Sequence, residues 1–156
     1  MILRAACLAA ALLALPLAAA ANDPDPTVQA LLESKETPFE VDEDGDYKIV
    51  VRLEDDRTQI VWVRSAVADT EHQRVREIWS PGYESPTDSF PAAIANELLT
   101  RSQDLILGGW VKQDRLAMLV IKIPADADAD LLDEAIDLAA LSADEVELDL
   151  TGKDDL

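Results

Sequence analysis

The sequence predicts an α+β fold, an antiparallel sheet of about five to six strands with helices packed on it. Strand-like segments come in pairs joined by short polar turns, and helical segments with one apolar face separate those pairs. The predicted order is α-β-β-β-(β)-α-β-β-α. The helices are predicted over 26–34, 90–101 and 128–149, and the strands over 39–42, 46–54, 57–67, 75–79, 105–111 and 116–123.

Capping and turn residues set the boundaries of the first elements. Asp25 can cap the first helix, and Pro26 stands at its first position, where a missing N–H costs nothing. The Asp44–Gly45 pair tolerates positive φ and therefore favours a tight hairpin between the first two strands.

The middle of the chain has the least regular pattern. Val75–Trp79 fits a helix face or a strand, and its β-branched and aromatic side chains favour the strand. Residues 80–91 contain Pro81, Gly82 and two further prolines, and this composition predicts a loop. Ser89 is the candidate cap of the second helix.

The last strand carries apolar side chains on both faces. One face holds Leu116, Met118 and Val120, and the other holds Leu119, Ile121 and Ile123. We expect cover on both faces, from the rest of the chain or from another subunit. The last helix has a continuous apolar stripe, which favours one helix over a break at the Ser142–Glu145 capping pattern.

The first 21 residues have the layout of a secretory signal peptide. Arg4 precedes an uncharged run rich in Ala and Leu, and small residues end at Ala21. Cleavage there leaves a short lead-in over 22–26 and a single domain over 27–155. We therefore expect a periplasmic or secreted protein with no membrane insertion after cleavage. Because Cys7 lies in the signal, the mature chain has no cysteine for a disulfide or a thiolate site.

The chain is strongly acidic. Removing Arg4 leaves 12 basic and 32 acidic side chains, a formal net charge of −20. Such a surface repels nucleic acid and anionic lipid, and it attracts basic proteins. The same charge is also typical of a protein that is simply highly soluble.

Chemical motifs are weak, and we predict no metal, no cofactor and no catalytic residue. In the acidic run Asp42-Asp44-Asp46, Tyr47 occupies the glycine position of a calcium loop. The run Asp126-Asp128-Asp130 suits a helix start. His72 is the only histidine and is predicted to lie on the surface. A hydrolase using two carboxylates under the 80–91 loop stays open as the least favoured alternative.

Two groups of residues are candidates for binding a partner. The first is aromatic: Trp62 and Trp110 suit the core, whereas Trp79 stands beside the predicted loop and is the most accessible candidate. The second is the apolar surface expected to lack cover. The full predicted partner-binding set is Trp79, Trp110, Leu119, Ile121, Ile123, Ala139, Ala143 and Val146.

The second half of the chain resembles the YbjN-type domain family, whose fold is similar to that of type III secretion chaperones. The resemblance rests on Leu107-Gly108-Gly109-Trp110, the strand over 116–123, Pro124–Asp128 and the tail from Leu150 to Asp155, with the hairpin over 39–53 in support. It implies a non-catalytic, often dimeric domain that binds extended client polypeptides. The signal peptide departs from that pattern, because such chaperones meet their clients in the cytoplasm.

Two functions follow as expectations. The first is a non-catalytic periplasmic protein-binding or chaperone-like module, acting as a homodimer on a protein or peptide partner. The alternative is an acidic inhibitor or sequestering protein for a basic envelope protein or peptide.

Overall fold

The structure is a computed structural model that describes residues 23–156. The predicted signal peptide lies outside the described residues. Within them the α+β class is confirmed, with the elements in the order α-β-β-β-β-α-β-β-α. They are α1 (Pro26–Ser34), β1 (Glu40–Val41), β2 (Tyr47–Arg52), β3 (Thr58–Asp69), β4 (Arg74–Glu84), α2 (Ala92–Asp104), β5 (Gly109–Gln113), β6 (Leu116–Pro124) and α3 (Ala129–Thr151). A 3-10 turn, Glu54–Asp56, joins β2 to β3.

The six strands form one antiparallel sheet in the order β1-β2-β3-β4-β6-β5. Helices α1 and α3 pack on one face, which we call the inner face. Burial there removes a large apolar area from water and supplies the main driving force for folding. The inner core combines Val28 and Leu32 of α1, Tyr47, Ile49, Val61, Val63, Ile78, Leu119, Ile121 and Ile123 of the sheet, and Leu132, Ala135, Ile136, Ala139 and Ala140 of α3.

The predicted side-chain cap of α1 is confirmed, and a cap of the same kind begins α3. The Asp25 carboxylate accepts from the Thr27 N–H, and the Asp128 carboxylate accepts from the Leu131 N–H. Helix α3 then continues without a break to Thr151, where Gly152 ends it in the left-handed conformation at φ 67°. A single long helix is therefore confirmed.

The predicted loop over 80–91 is wrong in its first part, because β4 continues through Pro81 and Gly82 to Glu84. The β3–β4 pairing stops at the Trp62–Trp79 pair, so the N–H that Pro81 lacks would have no partner on β3. The Gln59 side-chain Nε2 donates to the Pro81 carbonyl at 2.6 Å and to Ser80 Oγ at 3.1 Å. On its other side β4 stays paired with β6, Pro81 with Met118 and Tyr83 with Ala117, so the Gln59 bonds supply partners only on the β3 side.

Two further boundaries differ from the prediction. Helix α2 begins at Ala92 with Pro91 at the N-cap position and no side-chain cap, so Ser89 does not cap it. Strand β5 begins at Gly109, not at Leu105, because Gly108 has φ 82° and breaks the extended run.

Candidate functional site

Six of the eight predicted partner-binding residues are core residues. Leu119, Ile121 and Ile123 face α1 and α3, and Ala139, Ala143 and Val146 form the inward stripe of α3; none is more than 3% exposed. The idea that this surface lacks cover is therefore corrected. Period-two alternation showed that both faces of β6 are apolar, but it could not tell which face the helices would take.

Trp110 also belongs to the inner side, where it packs against both hydrophobic clusters. Trp79 is the one member of the predicted set on the opposite face of the sheet, which we call the outer face. It pairs across the strands with Trp62 on β3 and with Val120 on β6, and Trp62 pairs in turn with Lys48 on β2. One row of the outer face thus carries two adjacent, half-buried tryptophans.

Further apolar pairs flank this row on the outer face, which also carries the Lys122–Glu77 ion pair. Val50 pairs with Ile60, and Val111 pairs with Met118, and Val50 and Val111 are 56% and 41% exposed. Within residues 23–156, two hydrophobic clusters join helix side chains to the sheet. Neither cluster includes the four side chains of these two pairs, and neither includes Trp62 or Trp79. The outer face is therefore mixed in character. Its apolar patch around the tryptophan row belongs to neither cluster that includes the helices, and within it Met118 and Val120 are already buried, at 3% and 4% exposure.

A shallow groove of about 300 Å³ crosses this face. We call it the outer groove. Its apolar wall comes from Trp62, Trp79, Leu116 and Met118, and its two ends lie at the β1–β2 turn and the β5–β6 turn. Trp62 is half-buried on the outer face and not in the core, where the sequence favours placing it. The alternation Ile60-Trp62-Arg64 against Val61-Val63 contains the signal, since it sets Trp62 opposite the buried valines.

Carboxylates stand at both ends of the outer groove. Asp42 and Asp44 line it at the β1–β2 turn, and Asp114 lines it at the β5–β6 turn. The Asp42 carboxylate accepts from the N–H groups of Asp44 and Asp46, and Gly45 adopts φ 80°, so the turn is held by its own bonds. In the described part of the chain, no lysine or arginine lies within ion-pair distance of these three carboxylates.

One cation lines the groove, and it is neutralised. The Arg64 guanidinium lies 5.1 Å from the centroid of the Trp79 ring and pairs with Asp46 at 2.5 Å. Asp46 also accepts from the Ser65 N–H at 2.7 Å. Burial raises the pKa of Asp46 despite these partners. The arrangement shows that this surface can hold a guanidinium between an indole ring and a carboxylate.

A second group of charged residues lies at the C-terminal end of α3. Asp144, Glu147 and Asp154 bring one carboxylate oxygen each within 4.8 Å of one another, a spacing suited to a metal ion. Arg57 already supplies the positive charge there, with Nε 2.6 Å from Asp144 and a terminal nitrogen 3.7 Å from Glu147. Glu147 also accepts from the N–H groups of Asp155 and Leu156. We therefore assign this cluster to holding the C-terminal tail.

The remaining sequence candidates take ordinary positions. His72 lies on the surface as predicted, with its side chain 83% exposed. Asp126 is exposed just before α3, Asp128 caps the helix, and Asp130 lies in its first turn. Across residues 23–156, no helix combines the length and apolarity needed to cross a membrane.

No protein-family model matches this chain, and no match to a curated protein was found.

Proposed function

We propose that this protein is a non-catalytic polypeptide-binding module of the cell envelope, and that it holds a basic segment of its partner on the outer groove. The observation that carries the proposal is the Trp62–Trp79 pair, which belongs to neither hydrophobic cluster that includes the helices of residues 23–156. The envelope location rests on the predicted signal peptide, and the chaperone-like role rests on the resemblance to the YbjN-type family.

The aromatic pair supports binding of a polypeptide. Tryptophan is enriched at interface positions whose truncation costs the most binding energy, because it buries a large rigid surface with little loss of side-chain entropy. Val50 and Val111 extend the apolar area on either side of the pair. Covering this face would remove that area from water.

The charges support a basic partner over a second copy of the chain. In the described structure no ion pair reaches the carboxylates of Asp42, Asp44 and Asp114, although the Lys112 ammonium donates to the Asp114 backbone carbonyl. The mature chain carries a net charge of −20. A second copy would bring the same charge and would be repelled. A basic segment would be attracted at long range and would neutralise the groove carboxylates on contact. The homodimer implied by the family resemblance is a separate prediction, and light scattering on the purified protein would test it.

Binding to a defined probe tests the proposal. The probe is a fluorescent peptide of alternating lysine and valine, roughly twelve residues long so that it exceeds the groove. Fluorescence anisotropy should show saturable binding. Trp62→Ser should weaken it at least about tenfold, equivalent to about 1.4 kcal/mol. Ile106→Ser is the matched control, because Ile106 is 89% exposed and does not line the groove.

Charge variants test the part that the groove carboxylates play in binding. The double variant Asp44→Asn/Asp114→Asn should bind the probe more weakly, and its affinity for the probe should depend less on salt concentration. Glu33→Gln/Glu134→Gln removes the same charge from α1 and α3, on the inner side, and should bind like the wild type. Absence of probe binding by the wild-type protein, or equal loss in the Ile106 control, would overturn the proposal.

A further inference from the structure

The order of charges along the outer groove carries an inference about which segment of a partner it accepts. It rests on the proposed function. We infer that the groove selects an extended segment with basic residues at both ends and uncharged apolar residues between them.

The length of the outer groove follows from the strand pairing. The row Lys48–Trp62–Trp79–Val120 lies two residues along β2 from Asp46 and four residues along β6 from Leu116. From β2 to β6 is three strand spacings. A flat sheet with these offsets separates the two ends by about 24 Å, the span of roughly seven extended residues.

Each end of the outer groove carries negative charge. Asp42 and Asp44 lie at one end, and Asp114 lies at the other. The β1–β2 turn keeps its shape through the bonds to Asp42, so Asp44 is available to a ligand. The structure gives the Asp44 and Asp114 side chains no hydrogen bond within residues 23–156, and a lysine or arginine of the partner would supply one.

The middle of the groove offers nothing to a cation. Trp62, Leu116 and Met118 are apolar, and the Trp79 ring is already covered by Arg64. The Asp46 carboxylate already pairs with Arg64 and accepts from the Ser65 N–H. A partner cation placed here would lose water and meet the Arg64 guanidinium, whereas an apolar side chain would bury surface on Trp62.

Two peptides of identical composition test this inference. The first has two lysines at each end and Val-Leu-Thr-Val between them, and the second has the four lysines together in the centre. Both carry the same net charge, so non-specific attraction is matched. Titration calorimetry on the purified protein should give at least about tenfold tighter binding for the first peptide, and the preference should disappear in Asp44→Asn/Asp114→Asn.

The outcomes separate the two proposals. Equal binding of both peptides, with Trp62→Ser still weakening each, would overturn the charge-order inference and leave the proposed function standing. Tighter binding of the central-lysine peptide would overturn the inference in the same way. Failure of both peptides to bind would overturn the inference together with the proposed function.

Discussion

The indole ring of Trp110 occupies the space beside Gly82 that any side chain would need. A Cβ built on Gly82 would lie 2.8 Å from Trp110 Cζ3, closer still to Cη2, and 3.1 Å from the Ala143 carbonyl oxygen. Gly82 stands at the irregular step between Pro81 and Tyr83, where β4 shifts register against β6. The glycine thus lets β4, β5 and α3 meet at one point.

We therefore expect Gly82→Ala to destabilise the protein by about 1–3 kcal/mol, the usual cost of adding a methyl group to a filled site. Urea unfolding followed by tryptophan fluorescence measures it. Gly109→Ala is the matched control, because the nearest atom to its added Cβ is Ser102 Oγ at 3.7 Å. Equal stability of the two variants would show that the Trp110 ring can move aside freely.

The same region shows where sequence reasoning stops. Proline and glycine together predict a loop, because proline cannot donate to a ladder and glycine weakens a strand. Two distant partners keep Pro81 in β4: Met118 of β6, which pairs with it, and the Gln59 side chain, 22 residues earlier in the chain. A local pattern holds no information about either partner.

The order of elements could be predicted because it rests on local signals. The Asp25 and Asp128 caps, the Asp44–Gly45 turn and the apolar stripe of α3 all lie within a few residues of what they determine. The candidate site depended instead on which face of the sheet the helices cover. Met118 and Leu119 are equally apolar in sequence, and only the packing of the helices on one face places Leu119 in the inner core.

The C-terminal tail provides a second prediction. The Glu147 carboxylate accepts from the N–H groups of Asp155 at 2.6 Å and Leu156 at 3.0 Å, and it is 1% exposed. Glu147→Ala removes both acceptor bonds, so we expect a loss of about 1–3 kcal/mol and faster amide exchange at both residues. Hydrogen exchange read by NMR measures the protection directly. Unchanged protection in Glu147→Ala would show that the tail is held by other contacts.

Glu147→Gln is the control, and it carries a pH prediction. Burial raises the pKa of Glu147 above its ordinary 4.5, although the bonds from the Asp155 and Leu156 N–H groups and the charge of Arg57 lower it. The stabilisation linked to this raised pKa is present below pH 4.5 and is lost as the pH rises through the folded-state pKa. Glutamine keeps an acceptor oxygen and does not ionise, so Glu147→Gln should gain stability relative to the wild type between pH 4.5 and 7. Denaturant midpoints across this range measure the difference, and a constant difference would contradict it.

The ion pair between Asp25 and Arg76 gives the last prediction. The two side chains meet at 2.5 Å, and the Arg76 side chain is 5% exposed. Burial alone would raise the pKa of Asp25, but the Thr27 N–H and the bond and charge from Arg76 outweigh it and hold the pKa below 3.8. For a lowered folded-state pKa, the stabilisation is present above 3.8 and is lost as the pH falls through the folded value.

Asp25→Asn should therefore cost about 1–3 kcal/mol at pH 7, since asparagine can still cap α1 but leaves the Arg76 charge without its partner. That cost should shrink as the pH falls below 3.8, because the carboxyl of the unfolded chain becomes protonated there before that of the folded protein. Asp128→Asn makes the same substitution at the exposed cap of α3, which has no arginine partner in the described chain, and should cost only a few tenths of a kcal/mol. Urea unfolding at pH 7 and pH 3 compares the two variants. A cost for Asp25→Asn that stays the same at both pH values would assign it to the cap rather than to the ion pair.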